Sequence, residues 1–251
     1  MLKISNLSKS YAKGNKKAVD SLNLEIKNGE IFGFIGPNGA GKTTTIKMIT
    51  GILNPDRGEI EINGHSLKDD PIAAKMSMGY VPDNHDIYEM LTGREYLSFM
   101  ADMYSVPMRE RKERIERYLS QFELDKAVDS QIKSYSHGMK QKVTIMAALI
   151  HDPKVWILDE PLTGLDPNSI YQVKECMKEH VRKGNIVFFS SHIIDVVERI
   201  CDKIAIIRKG QIQCVRDVHE MEADGENLEE FYMQVINGHE VKPISVEGAA
   251  K

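Results

Sequence analysis

The chain has 251 residues, 41% of them hydrophobic and 28% charged, and a formal net charge of -4. That balance belongs to a soluble globular protein of one large or two modest domains, and it gives no global electrostatic reason to bind nucleic acid, so none is expected as a partner. The longest apolar runs, VTIMAALI and VWIL, fall far short of the about 20 residues that a bilayer-crossing helix needs. Cys176, Cys201 and Cys214 are odd in number and widely spaced, with no CxxC pair, which argues against a disulfide framework or zinc site and for a reducing intracellular compartment. The N-terminus MLKISNLSKSY alternates like a strand and lacks the basic and apolar regions of a signal peptide.

In chain order, LKISNL, AVDSLNLEI and IFGFIG read as strands with a turn at KNGE, followed by a helix carrying Ile46, Ile49 and Ile52 and a further strand segment GEIEING. From Thr92 to Ile150 the pattern is helical, through GREYLSFMADMY and the charged MRERKERIERYLSQFEL. In the latter, Ile115, Tyr118, Leu119 and Phe122 form an apolar stripe. VWILDE, a helix through SIYQVKECMKEHVRKG, IVFFSS, a helix at IIDVVERICD and KIAIIRKGQIQ then alternate strand and helix. The continuous apolar strands imply a parallel sheet buried on both faces. The expectation is an α/β fold: a core with a mainly parallel sheet that, given the GPNGAGKTT motif between its third strand and first helix, reads as a P-loop NTPase core, with an N-terminal antiparallel β region and an inserted helical subdomain. The core takes residues 1–82 and 151–216, the helical block 83–150, and a short C-terminal helix and tail 217–251.

GPNGAGKTT, Gly36 to Thr44, satisfies GxxxxGK(S/T) between an apolar strand and a helix. Glycines let successive backbone amides converge on phosphate, and the helix N-terminus adds partial positive charge. Gly36, Pro37, Asn38, Gly39, Ala40, Gly41, Lys42, Thr43 and Thr44 are therefore candidate ATP contacts. Lys42 is expected on the β- and γ-phosphates and the Thr43 hydroxyl on Mg²⁺. Asp159 and Glu160 follow four apolar residues at a strand end. Adjacent strand residues point in opposite directions, which would send Asp159 to the metal and Glu160 to an attacking water as general base. FFSSH ends a third buried strand in His192, a candidate partner for the γ-phosphate or the water.

One stretch resists an ordinary reading. In SYSHGMKQK, Ser136 is a good N-cap for a helix whose Met139, Val143, Met146, Ala147 and Ile150 would line one face. Gly138 in its first turn lowers helix propensity by about 1 kcal/mol relative to alanine, so something is expected to approach the backbone there.

The ordered set GPNGAGKTT, SHGMK, VWILDE, GLDP and SSH resembles the ATP-binding subunit of ABC transporters, most like those of drug, peptide or antibiotic exporters, over residues 1 to about 215. The resemblance implies ATP and Mg²⁺ as cofactors, and adenine stacked on Tyr11 beside Val19. It also implies a head-to-tail pair of ATP-binding subunits, identical or not, in which Ser136, His137, Gly138 and Met139 address the other subunit's ATP. Gly164, Leu165 and Asp166 match the loop that communicates between the subunits. His137 either donates toward phosphate or lies at the dimer surface. GYVPDN puts Asp83 where the family usually has glutamine. It is a shorter, anionic candidate metal ligand that would also lie near the membrane partner.

Implied as a whole is an ATPase at the cytoplasmic face of the membrane, driving transport through a separate integral permease subunit, with export the expected direction. The alternatives are a non-transport ABC ATPase acting as a regulatory or mechanical module, and a P-loop kinase. The kinase gives no reason for the SHGMK and GLDP segments.

Overall fold

The computed structural model describes residues 1–11, 16–84 and 87–238. In chain order the elements are β1 (Leu2–Tyr11), β2 (Lys16–Ile26), β3 (Ile31–Ile35), α1 (Lys42–Ile49), β4 (Arg57–Ile62), β5 (His65–Ser66), α2 (Pro71–Met76), β6 (Met78–Val81), α3 (Gly93–Met103) and α4 (Met108–Phe122). A short 3-10 turn, Ile132–Ser134, leads to α5 (His137–Leu149). Then come β7 (Val155–Asp159), α6 (Pro167–Arg182), β8 (Ile186–Ser191), α7 (Ile194–Glu198), β9 (Lys203–Arg208), β10 (Gln211–Asp217), α8 (Val218–Ala223) and α9 (Leu228–Asn237).

A six-stranded sheet has the order β10-β9-β3-β8-β7-β6, parallel except for the β9–β10 hairpin. Every residue of β3, β7 and β8 is buried, as continuous apolar runs require when both faces are covered. Successive residues serve opposite sides. Ile35, Trp156, Leu158, Val187 and Phe189 join the core under α3–α6, whereas Phe34, Val155, Ile157, Ile186 and Phe188 join the core shared with α1 and the second sheet.

That second sheet is four-stranded and antiparallel, β2-β1-β4-β5. Leu2 and Ile4 of β1 point inward, and the next inward residue is Leu7. The register slips between Ile4 and Leu7, at Asn6 with φ 51°, a bulge that re-phases the strand and keeps its apolar side on the core.

Several expectations change. Ile52 lies beyond the end of α1 and is 61% exposed, so of the three isoleucines only Ile46 and Ile49 bury from that helix, together with Lys42, Thr45 and Met48. The face predicted for α5 widens to nearly its whole circumference, since Val143 through Leu149 are all buried between α3, α4 and β6. The C-terminal segment forms two helices where one was expected. The second is secured by Leu228, Phe231 and Val235 against the core, with Arg216 stacked 4.8 Å from the Phe231 ring centroid. The expected tail beyond residue 238 lies outside the described residues. In α4, Ile115, Tyr118, Leu119 and Phe122 are the buried stripe, as the spacing predicts.

Candidate functional site

Four adjacent parallel strands, β3, β8, β7 and β6, end at the same edge of the sheet, with Ile35 opposite Ser191, Asp159 opposite Ser190 and Val81 opposite Leu158. The segments that leave this edge carry Gly36–Thr43, His192, Glu160 and Asp83. Topology alone thus gathers residues far apart in sequence at the carboxyl ends of the strands.

The loop after β3 is tight for reasons of its own. A Cβ at Gly36 would sit 2.3 Å from the Ile207 carbonyl oxygen, and Gly41 has φ 114° with the Ala18 carbonyl oxygen 2.5 Å from where its Cβ would be. Ala40 N–H donates to Pro37 O at 3.1 Å, leaving Asn38 and Gly39 exposed at the tip. α1 begins at Lys42 with no side-chain cap, so its first amides keep their donors for an anion. Val19 is buried beside this loop, its Cγ2 3.5 Å from the Cβ position of Gly41. Thr44 is half-buried on the same turn. Lys42 is buried. Its Nζ donates to Gly36 O at 2.7 Å and lies 3.5 Å from Glu160 Oε1.

Asp159 is 1% exposed. Its Oδ1 accepts a 2.6 Å hydrogen bond from Ser190 Oγ, and Oδ2 is buried with no hydrogen-bond partner among the described residues. Burial pushes the carboxyl's pKa above its ordinary value; hydrogen bonds from Ser190 and Thr43 oppose that, and the charges of Asp83 and Glu160 add to it. An acidic oxygen left unpaired in a buried site, with the Thr43 hydroxyl close enough to act on the same carboxylate, is a donor set that suits Mg²⁺ when phosphate oxygens supply the remaining ligands. Among the described residues no group of three or more His, Cys, Asp or Glu side chains forms a metal cluster. These two residues fit the ion as partners of a bound nucleotide.

Glu160 corrects the pleat argument. β7 stops at Asp159, and Glu160 has φ 49°, so a left-handed backbone turn, not strand alternation, separates the two carboxylates. The turn is held by Glu160 N–H donating to Ser190 Oγ at 3.0 Å. It leaves the Glu160 carboxylate between two groups, Oε1 toward Lys42 and Oε2 at 2.8 Å from His192 Nδ1. Ser190, the first of two serines that end an apolar strand, has no role that the sequence alone assigns. It links both acids.

Asp83 is exposed just past β6, close enough for its charge to act on Asp159 and on Tyr80, whose phenol pKa is raised by burial first and by Asp159 and Asp83 after it. Tyr11 closes β1, 46% exposed, and residues 12–15 beside it lie outside the described residues.

At the start of α5, Ser136 Oγ accepts from Met139 N–H at 3.3 Å, the predicted cap. A Cβ at Gly138 would meet only Leu165 Cδ2, at an ordinary 3.7 Å, so this chain's own packing does not require glycine there. A Cβ at Gly164 would lie 3.1 Å from His137 Cδ2 and Nε2, so GLD and SHG segments touch within one chain. Asp166 is occupied as the N-cap of α6, accepting from Ser169 N–H at 3.0 Å and from its hydroxyl. Those bonds hold its carboxyl pKa below the ordinary value.

The family model described as ABC transporter matches residues 19–163. The chain belongs to the ABC transporter ATP-binding family. It is 38% identical over 212 residues to the linearmycin resistance ATP-binding protein LnrL of Bacillus subtilis, covering 84% of this chain and 68% of that one. A solved structure described as the ATP-binding subunit of an ABC transporter superposes with a TM-score of 0.88 at 34% identity, covering 94% of this chain and 99% of that one. The dimeric, post-hydrolysis state of the ATP-binding cassette MJ0796 bound to ADP and Pi superposes with a TM-score of 0.78 at 26% identity, covering 87% and 99%. The mixed α/β fold and the ATPase class of the family are thereby those of this chain.

Proposed function

We propose that this chain binds and hydrolyses ATP as one of a pair of ATP-binding subunits, and that hydrolysis drives export through a separate integral membrane permease. The observation that carries the reading is the convergence of Lys42, Asp159, Glu160 and His192 at one sheet edge, with a buried, unpaired oxygen on the Asp159 carboxylate, on which Thr43 of the phosphate cradle also acts.

The residues divide the chemistry. Backbone amides of Gly36–Thr44 hold the phosphates, Tyr11 and Val19 take the base, and Lys42 turns from Glu160 to the β- and γ-phosphates as they arrive. Mg²⁺ held by Thr43 and Asp159, with Asp83 as a further oxygen, would neutralise charge on the phosphates. Glu160 then accepts the proton of the attacking water, and His192 orients its carboxylate from the other side. Ser136, His137, Gly138 and Met139 address the ATP of the second subunit, and Gly164, Leu165 and Asp166 lie at that junction. Residues 1–82 and 151–216 act as the ATP-binding core and 83–150 as the subdomain that carries the signature.

Export is favoured by the likeness to LnrL, whose name ties that protein to antibiotic resistance. Among the described residues no helix is long and apolar enough to cross a membrane, in keeping with a separate permease and peripheral attachment at the cytoplasmic face. The helical block offers an apolar patch for that partner. Tyr88, Met90, Phe99 and Met103 are exposed, and the Tyr88 and Phe99 rings meet edge-on with centroids 5.5 Å apart.

The test has two arms. Purified chain with Mg²⁺ and ATP should release ADP and phosphate with water as the only acceptor, at a specific rate that rises with protein concentration. From native membranes it should co-purify with an integral membrane protein. Turnover that needs an added phosphate acceptor would overturn the ATPase subunit reading; capture of ribosomes or DNA in place of a membrane protein would overturn the transport role.

A further inference from the structure

Gln141 lies one turn into α5, 1% exposed, just before the stretch Val143 to Leu149 in which every residue is buried. Its Nε2 donates a buried 2.8 Å hydrogen bond to the Pro161 carbonyl. Its Oε1 is buried with no partner among the described residues. A half-satisfied amide opposes burial, and a methionine of similar size would fill the same space without leaving an acceptor orphaned, so packing alone gives no reason for it.

What the amide holds is the residue after Glu160. The left-handed turn at Glu160 is fixed on one side by its N–H to Ser190 of β8. On the other side, the next carbonyl in the chain is fixed by Gln141 of α5. We propose that Gln141 is a positioning residue for Glu160, clamping the turn through Pro161 so that the carboxylate stays between Lys42 and His192. This rests on the general-base role proposed for Glu160. It also ties two sites together: Gln141 lies three residues beyond Gly138 on the same helix, so α5, drawn toward ATP on the second subunit, would move the clamp on Glu160 in its own.

The test is Gln141→Met in the full chain. ATP binding should stay within about twofold of wild type, KM should change little, and kcat should fall about tenfold or more, the scale on which small misplacements act. In a Glu160→Gln background, single-turnover hydrolysis with and without Gln141→Met should differ by less than about twofold, because the group that Gln141 positions is already gone. Unchanged kcat, or an equal loss in both backgrounds, overturns the proposal. If Gln141→Met does not fold, Gln141→Glu carries the test. Its ionised carboxylate cannot donate to Pro161 and its protonated form can, so its kcat relative to wild type should rise as the pH is lowered into the mildly acidic range. A pH-independent ratio overturns the proposal. If Glu160→Gln alone hydrolyses ATP like wild type, the general-base assignment fails instead, and that outcome is distinct from every Gln141 result.

Discussion

His192 Nδ1 lies 2.8 Å from Glu160 Oε2, while Lys42 Nζ lies 3.5 Å from Oε1 of the same carboxylate. One acid is thus shared by the cradle lysine and the histidine across the sheet edge. In Glu160→Gln the lysine is released from that charge while the side chain keeps its shape. ATP affinity of the chain should be retained or raised, and turnover should fall by about 10²- to 10⁴-fold. Equilibrium nucleotide binding and a phosphate-release assay on one preparation check both halves; undiminished hydrolysis would remove Glu160 from the mechanism.

Asp159 should be a stability liability until nucleotide arrives. Its pKa in the fold is raised chiefly by burial. The fold therefore favours the protonated acid, and stability present at low pH is lost as the pH rises from the unfolded-state value through the raised one. Asp159→Asn should melt no lower than wild type at neutral pH in the absence of ligand, with a gain that shrinks as the pH is lowered into the acidic range. The same variant should lose the stabilisation that Mg²⁺ with ATP gives wild type. A ligand-free melting temperature that drops equally at both pH values would contradict the account.

Ser190→Ala removes the hydroxyl that donates to Asp159 Oδ1 at 2.6 Å and accepts from Glu160 N–H at 3.0 Å. Two buried polar groups lose a partner, so denaturant unfolding should register a loss of about 1–3 kcal/mol. Turnover should fall with it, since both acids lose their orientation. Ser190→Thr keeps the hydroxyl and should recover most of the activity.

Gly138 should be a glycine at the expense of its own helix. Its Cβ position is open apart from Leu165 Cδ2 at 3.7 Å, so Gly138→Ala should stabilise the chain by about 0.5–1 kcal/mol through helix propensity. Gly138→Asp should leave nucleotide binding by the single chain intact and abolish the concentration-dependent part of hydrolysis. Binding lost at the single-chain level would place the glycine's role within this chain.

Asp83→Gln takes one negative charge from the neighbourhood of Asp159. The Asp159 carboxyl should then ionise at lower pH, and the acid limb of the pH–rate profile should move down with it. A profile and a turnover both unchanged would exclude Asp83 from the phosphate end of the site.

Strand runs and the phosphate loop were legible because each is written locally: VWIL and IVFF are short, continuous apolar runs rich in β-branched and aromatic residues, as strands covered on both faces require, and GPNGAGKTT states its glycines and lysine in order. What escaped is what depends on a partner across the fold. The Glu160 turn follows from a Ser190 hydroxyl on the neighbouring strand, so alternation along β7 predicted the right separation for the wrong reason. Ile52 fits a helical spacing that the chain abandons at Thr50, where the last amides cap back onto Ile46 and Met48. α5 is buried nearly all round because α3, α4 and β6 all pack on it, a fact absent from its own periodicity. Gln141 reads as one more polar residue in a basic turn until Pro161 is seen against it.

Trp156 is the single tryptophan of the chain, fully buried on β7 three residues before Asp159, with the His180 ring set edge-on at 5.8 Å. Its emission therefore comes from one known place, shielded from water and mounted on the strand that carries the acid. Any rearrangement of that strand when phosphate and metal settle at its tip can be followed by intrinsic fluorescence in the unlabelled protein, in real time and without altering a residue of the site.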